Sequence, residues 1–246
     1  MSAHFAIPAT TFVLQGVIER ALAKVYGAGQ TAPPVTIAPP PRGDRAAGPA
    51  NGGASADGEA TGVILYLYHV APNPGWRNVY APVIDSSGAR VGPSPLVLDL
   101  HYLLAATGSG LEREAVLGVA LHALLRLGII PRDLIKQILS DVVVPSDPTP
   151  LITKLTTEHL WEQYEQITLA PQALDADMLS RLWTALLSPF RPSVGLLATT
   201  VFLDTDEQFP DGPAVKTVTL AARPNLDSDT DMTAADFPLA FAGDAE

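Results

Sequence analysis

The segment Val63–Val70, VILYLYHV, is the tightest constraint on how this chain can fold. It is β-branched and aromatic, and it is apolar at both parities of an extended chain, so as a strand it has no face to give to water. Such a strand belongs in the middle of a sheet, with other elements packed over it. A second strand is predicted at Leu96–Ala105, where Leu96, Leu98, Leu100, Tyr102 and Leu104 point one way and Val97, Asp99, His101 and Leu103 the other.

The helical segments supply the cover. Thr10 or Thr11 is a candidate N-cap for a helix running to about Tyr26, with Leu14, Val17, Ile18, Ala21, Leu22 and Val25 forming one apolar stripe and Gly27 and Gly29 ending it. Glu112–Leu127 reads as a helix stopped by Gly128. Its polar positions beyond the first turn are the narrow line Gly118, His122 and Arg126, which predicts burial on most sides. Pro131 suits the start of a third helix, with Leu134, Ile135, Ile138 and Leu139 inward. Asp175 or Asp177 can cap a fourth, with Met178, Leu179, Leu182, Trp183, Leu186 and Leu187 as its stripe and Pro189 beyond its end. Further strands are predicted at Val35–Ala38, near Ile167–Leu169, at Ser193–Leu203 and at Val215–Ala222. The sum is an α/β chain of the mixed α+β kind: a single domain, a mixed sheet of about four to six strands, and packed helices.

Two stretches differ in character. Residues 39–62, PPPRGDRAAGPANGGASADGEATG, hold almost nothing able to fill a core and read as a flexible loop. Residues 224–246 are acidic and sparse in apolar side chains; they read as an extended arm or tail that Phe237, Leu239 and Phe241 can anchor to a neighbour. The expected organisation is therefore a domain over 1–223, including the loop, followed by the arm. Pro145, Pro148 and Pro150 break the segment 143–174 into short pieces.

Composition narrows the function classes. With 47% hydrophobic residues a core is available, and a formal charge of −11 with only 15 Lys and Arg argues against a nucleic-acid partner. No apolar run reaches the roughly 20 residues of a membrane helix, so no direct membrane insertion is expected. The first residues lack a basic n-region and an Ala-x-Ala-type cleavage site, so no secretory signal is evident. The absence of cysteine removes disulfides, thiolate zinc sites and thiol nucleophiles, and fits assembly in a reducing cytoplasm.

The search for chemistry returns little. The five histidines make no H-E-x-x-H or H-x-H pattern, and no metal or other cofactor is expected. Asp99 and His101 share a strand face and could meet, but no G-x-S-x-G elbow supplies a nucleophile. Glu112 and Glu114 suit a helix N-terminus. Asp204, Asp206, Glu207 and Asp211 lack EF-hand spacing, and Gly108 and Gly110 lack a phosphate-loop lysine. Trp76 and Arg77, with Asn78 beside them in a Pro-rich loop, are residue types that anchor interfaces; the alternative is that Trp76 covers its own core edge.

Four stretches taken together resemble one family: Val63–Asn78 (VILYLYHVAPNPGWRN), Leu96–Thr107 (LVLDLHYLLAAT), the helix Glu112–Leu127, and Leu179–Asp204 (LSRLWTALLSPFRPSVGLLATTVFLD). The chain is similar, over roughly residues 10–205, to the N-terminal domain of the cap, or tube-terminator, proteins of phage-tail-like contractile injection systems. It departs from them in the long loop 39–62 and in the segment 143–174. The resemblance implies a non-enzymatic structural subunit with a mixed α/β fold and no cofactor. It implies a homo-hexameric ring on the baseplate-distal end of the inner tube, with the tube protein and the sheath protein of the same particle as partners. The particle would assemble in the cytoplasm and either stay there or be released. Candidate subunit-interface residues are Trp76, Arg77, Asn78, Phe237 and Phe241. Two other readings stand beside it: an adhesion module using Arg42-Gly43-Asp44, and a small hydrolase using the Asp99/His101 face.

Overall fold

The structure, a computed structural model, describes residues 5–42, 59–76, 96–141 and 159–203. Tertiary contacts divide the chain into one unit, Met1–Pro210, and a second, Asp211–Glu246; every described residue belongs to the first. The predicted strand at 215–222 and the acidic arm therefore lie outside the described residues, as do 43–58 of the loop and 142–158.

Helix α1 spans Ala6–Tyr26, starting earlier than the sequence suggested. Pro8 is no obstacle there, because the first helical turn has no intrahelical acceptor for its amides and the proline lacks one anyway. Thr10 and Thr11 are consequently not caps. Both are buried, and their hydroxyls donate back to the carbonyls of Ala6 (2.7 Å) and Ile7 (3.2 Å). Gly27 ends the helix at φ +74°, a conformation glycine adopts without a Cβ clash.

The strands are β1 (Val35–Thr36), β2 (Gly62–Pro72), β3 (Leu96–Thr107), β4 (Thr168–Gln172) and β5 (Ser193–Leu203). They form one mixed sheet in the order β1-β2-β3-β5-β4, parallel only between β1 and β2. The remaining helices are α2 (Gly110–Leu125), α3 (Arg132–Ser140) and α4 (Ala176–Ala185). The alternation read in β3 holds. Leu98, Leu100, Tyr102 and Leu104 enter the main core with the buried residues of α1, α2 and α3, while Leu103 and Ala105 enter a smaller core with Ile64 and Trp183 of α4. VILYLYHV is buried only in its first half: Val63, Ile64 and Leu65 are closed off, whereas Val70 is exposed. The strand loses its β1 neighbour after Ile64 and extends beyond α4, which explains the change.

Two further expectations are revised. Helix α2 buries only Val116, Ala120 and Leu124 fully, a single line rather than most of its surface. In α4, Asp175 caps as predicted, its carboxylate accepting from Met178 N at 2.7 Å, but Trp183 is the one fully buried residue of the stripe. Contact between α1 and α3 is close: a Cβ at Gly16 would stand 2.7 Å from Ile138 Cγ2.

Tyr102 ties α1 to the central strand. It is fully buried, and its hydroxyl lies 2.8 Å from Thr11 Oγ1. Burial pushes its pKa well above the ordinary 10.0, because the phenolate has no solvent there, although the Thr11 hydrogen bond opposes the shift slightly. The unfolded chain thus releases this proton near pH 10 while the folded chain holds it, so the stabilisation is complete below pH 10 and declines above it. Urea unfolding from pH 8 to 11 should show that decline, and Tyr102→Phe should make it shallower while costing about 1 kcal/mol at pH 8.

Candidate functional site

The two ends of the sheet differ in what they present. At one end β2 finishes, β3 begins and β5 finishes, and the chain between 72 and 76 is folded by Asn73. Its side-chain oxygen accepts from Gly75 N (2.9 Å) and Trp76 N (3.3 Å), its Nδ2 donates to Asp99 Oδ1 (2.8 Å), and its amide donates to Val97 O (2.8 Å). Asparagine is suited to this position, because its side-chain oxygen can accept from the amides two and three residues further on and so close the turn. The turn lays the half-buried Trp76 ring edge-on against Phe202 (4.9 Å between centroids, 78°) and Tyr164 (5.5 Å, 81°), the arrangement ring quadrupoles favour.

Tyr164 is 63% exposed and Trp76 half-buried, while Phe202 beneath them is buried, so the cluster reaches the surface through its first two rings. It is held by a bulge in β5, where Leu98 pairs with Val201 and Leu100 with Ala198. Thr200 sits in that bulge at φ +61°, a strained conformation for a β-branched residue. Its hydroxyl donates to Gln166 O (2.8 Å) and its carbonyl accepts from Gln163 Nε2 (3.2 Å), which clamps the segment carrying Tyr164. A strained backbone position therefore lies beside an exposed aromatic side chain. Sequence reasoning singled out Trp76 but not its ring partner Phe202 or the bulge residue Thr200, because bulge geometry leaves no local signature. Of the other candidate interface residues, Arg77, Asn78, Phe237 and Phe241 lie outside the described residues.

The Asp99/His101 pair is not brought together. Asp99 accepts from Asn73, and His101 Nδ1 lies 2.9 Å from Gln172 Oε1. The cross-strand partner of His101 is His69, with ring centroids 5.0 Å apart. Tyr68 also donates to Gln172 Oε1 (3.1 Å), and partial burial raises its pKa. Each polar group here is committed to a structural contact, so the hydrolase reading lacks its acid–base pair. Gly43 and Asp44 of the Arg-Gly-Asp tripeptide lie outside the described residues. Among the described residues, no group of three or more His, Asp or Glu could hold a metal, and no helix is long and apolar enough to cross a membrane.

At the opposite end, Arg191 organises the surface. Its buried guanidinium makes a bidentate pair with Glu59 (2.7 and 3.1 Å) and donates to Ser188 Oγ (2.6 Å) and Pro189 O (3.0 Å). Ser188 Oγ donates in turn to Pro41 O (2.8 Å). Residues on both sides of the 43–58 stretch are thus fastened to one short segment after α4. That segment begins with a Schellman closure, Ser188 N to Trp183 O and Leu187 N to Thr184 O. Leu187 occupies the left-handed position, at φ +53°, where glycine is usual, and it is 62% exposed; Phe190 is 66% exposed nearby. The strain at Leu187 is not offset by burial of its side chain.

Leu187→Gly should raise stability by about 0.5–1 kcal/mol in urea unfolding, because it removes the left-handed strain. Arg191→Met should lower it by about 2–3 kcal/mol by the same measurement. It leaves Glu59 without its partner, but partial exposure of that carboxylate moderates the loss.

The fold is a mixed α+β domain with exposed apolar side chains at both ends of its sheet. The family model for the Pvc16 N-terminal domain matches residues 9–217, and the chain belongs to that family. Two solved structures are similar at low identity. One is the sheath/tube terminator of an extracellular contractile injection system, PVC, in the extended state (15% identity, TM-score 0.43, covering 85% of this chain and 63% of that one). The other is the tube-terminating cap of the anti-feeding prophage, AFP (13% identity, TM-score 0.46, 84% and 59%). The chain therefore spans about six-tenths of the length of these solved proteins. No curated protein matches it.

Proposed function

We propose that this chain is a non-enzymatic cap of a phage-tail-like contractile injection system, a subunit that ends the inner tube and ties the last sheath ring to it. The observation that carries the reading is membership of the Pvc16 N-terminal domain family over residues 9–217. The terminator and cap functions named for the two similar structures supply the role, carried over to this chain as part of the proposal. The partners are then the tube and sheath proteins of the same particle, and the subunits form a homo-hexameric ring. Assembly takes place in the cytoplasm, before any release of the particle.

Physical features support the reading. A terminator needs one surface that docks on the tube end and another that cannot be extended. The two ends of the sheet carry different exposed apolar groups: Tyr164 with Trp76 at one, Leu187 with Phe190 at the other. β3 has 12 residues, so those ends are separated by about 35 Å, enough to reach two different partners. Ring contacts of the head-to-tail kind need distinct complementary surfaces on each copy. Trp76, Arg77 and Asn78 are assigned to one of them, and Phe237 and Phe241 to the arm that reaches a neighbour.

Electron microscopy of particles made with and without this gene tests the proposal. Deletion should abolish uniform particle length, sheath attachment or assembly altogether, and restoring the gene with Trp76→Ala and Arg77→Ala should give at best partial recovery. Particles of normal number and normal length in the deletion strain would refute the cap reading.

A further inference from the structure

A groove of about 750 Å³ runs between α1 and α2 and is closed at one side by Leu134 of α3. Its floor is apolar: Val25 is 64% exposed, and Val119 and Ala123 are only half-buried. A Cβ at Gly118 would meet nothing within 4 Å, so no described part of the chain fills the space. Its rim is cationic. Arg20, Lys24, His122 and Arg126 line it, and no Asp or Glu does among the described residues. Asp141 partners Arg20 from outside at 2.8 Å. In a chain with formal charge −11, three of the 15 Lys and Arg on one apolar groove is a marked concentration of the rarer sign. The line Gly118, His122 and Arg126, which looks in the sequence like a thin polar seam, is the α2 wall of this groove.

The sequence contains a segment of matching chemistry. Residues 224–246 carry six Asp and Glu and no Lys or Arg, and within them Phe237, Leu239 and Phe241 alternate with smaller residues. In an extended peptide such alternation puts the three large side chains on one side over about 13 Å. The α1 wall of the groove, from Val17 to Val25, is about 12 Å long. Length, polarity and sign agree together.

We propose that the groove between α1 and α2 receives residues 224–246 of a second copy of the chain, Phe237, Leu239 and Phe241 filling its floor and the flanking aspartates meeting Lys24 and Arg126. The inference rests on the ring reading for the choice of a second copy as the source, and it makes each subunit both donor and acceptor, as a closed ring requires.

The test is a titration of the full-length chain into a fluorescently labelled synthetic peptide of residues 224–246, followed by anisotropy. Saturable binding is expected. It should weaken at least tenfold in Lys24→Glu/Arg126→Glu and in Val25→Asp, all at exposed positions where folding can be verified by circular dichroism, and it should weaken as salt rises. The intact dilute chain and a Phe237→Ala/Phe241→Ala chain should bind the peptide equally. No saturable binding, equal binding of a scrambled peptide, or indifference to the groove substitutions would overturn the proposal. Much weaker binding by the intact chain than by the Phe237→Ala/Phe241→Ala chain would also overturn it, by assigning the groove to the chain's own tail. None of these outcomes depends on particle length, so a failure here leaves the cap reading standing or falling on its own test.

Discussion

The fold depends on strand β3 being enclosed. β2 and β5 pair along it on either side, the three helices α1, α2 and α3 cover one of its faces, and α4 covers part of the other. A strand in that position has its backbone groups satisfied by neighbours and its side chains removed from water on both faces, so every other element is placed by its need to cover or extend it. The Tyr102–Thr11 hydrogen bond is a polar contact inside this enclosure. A buried hydroxyl pair of this kind is satisfied in only one register of helix on strand, so it selects the docking of α1 as well as stabilising it.

Among the described residues, the cover over the sheet is incomplete. α4 reaches Ile64, Leu103 and Ala105 but not the far end of that face, where Tyr68, His69, His101 and Gln172 hold one another in polar and ring contacts. Side-chain knots fasten the ends of the sheet: Asn73 at one end, Arg191 at the other. Both knots bring exposed apolar residues to defined positions and both lie next to a strained non-glycine backbone, Thr200 and Leu187. Among the described residues, the two patches are firmly held and lie at opposite ends of the sheet.

Much of this was legible in the sequence. The strand at Ser193–Leu203, the parity of β3 and the Asp175 cap follow from hydrophobic spacing and from capping chemistry, which are local. What was misjudged was tertiary. The apolar residues of α2 read as burial on most sides because periodicity reports which positions can be buried, not how deeply a partner covers them; Val116, Ala120 and Leu124 are fully enclosed, Leu117, Leu121 and Leu125 only partly, and Ala115, Val119 and Ala123 line the groove beside α1. Leu187 looked like the last member of a core stripe, although it sits two residues past the helix in a left-handed turn. Arg191, Glu59 and Pro41 are joined across more than 130 positions, and neither composition nor spacing marks such a pair.

The most direct measurement is a reconstruction by electron cryo-microscopy of the baseplate-distal end of intact, uncontracted particles containing this chain. The account predicts a single ring of six copies on the last tube ring, touching the last sheath ring and with no tube subunit beyond it. Density for the chain at any other place on the particle, or a tube end that is complete without it, would contradict the account.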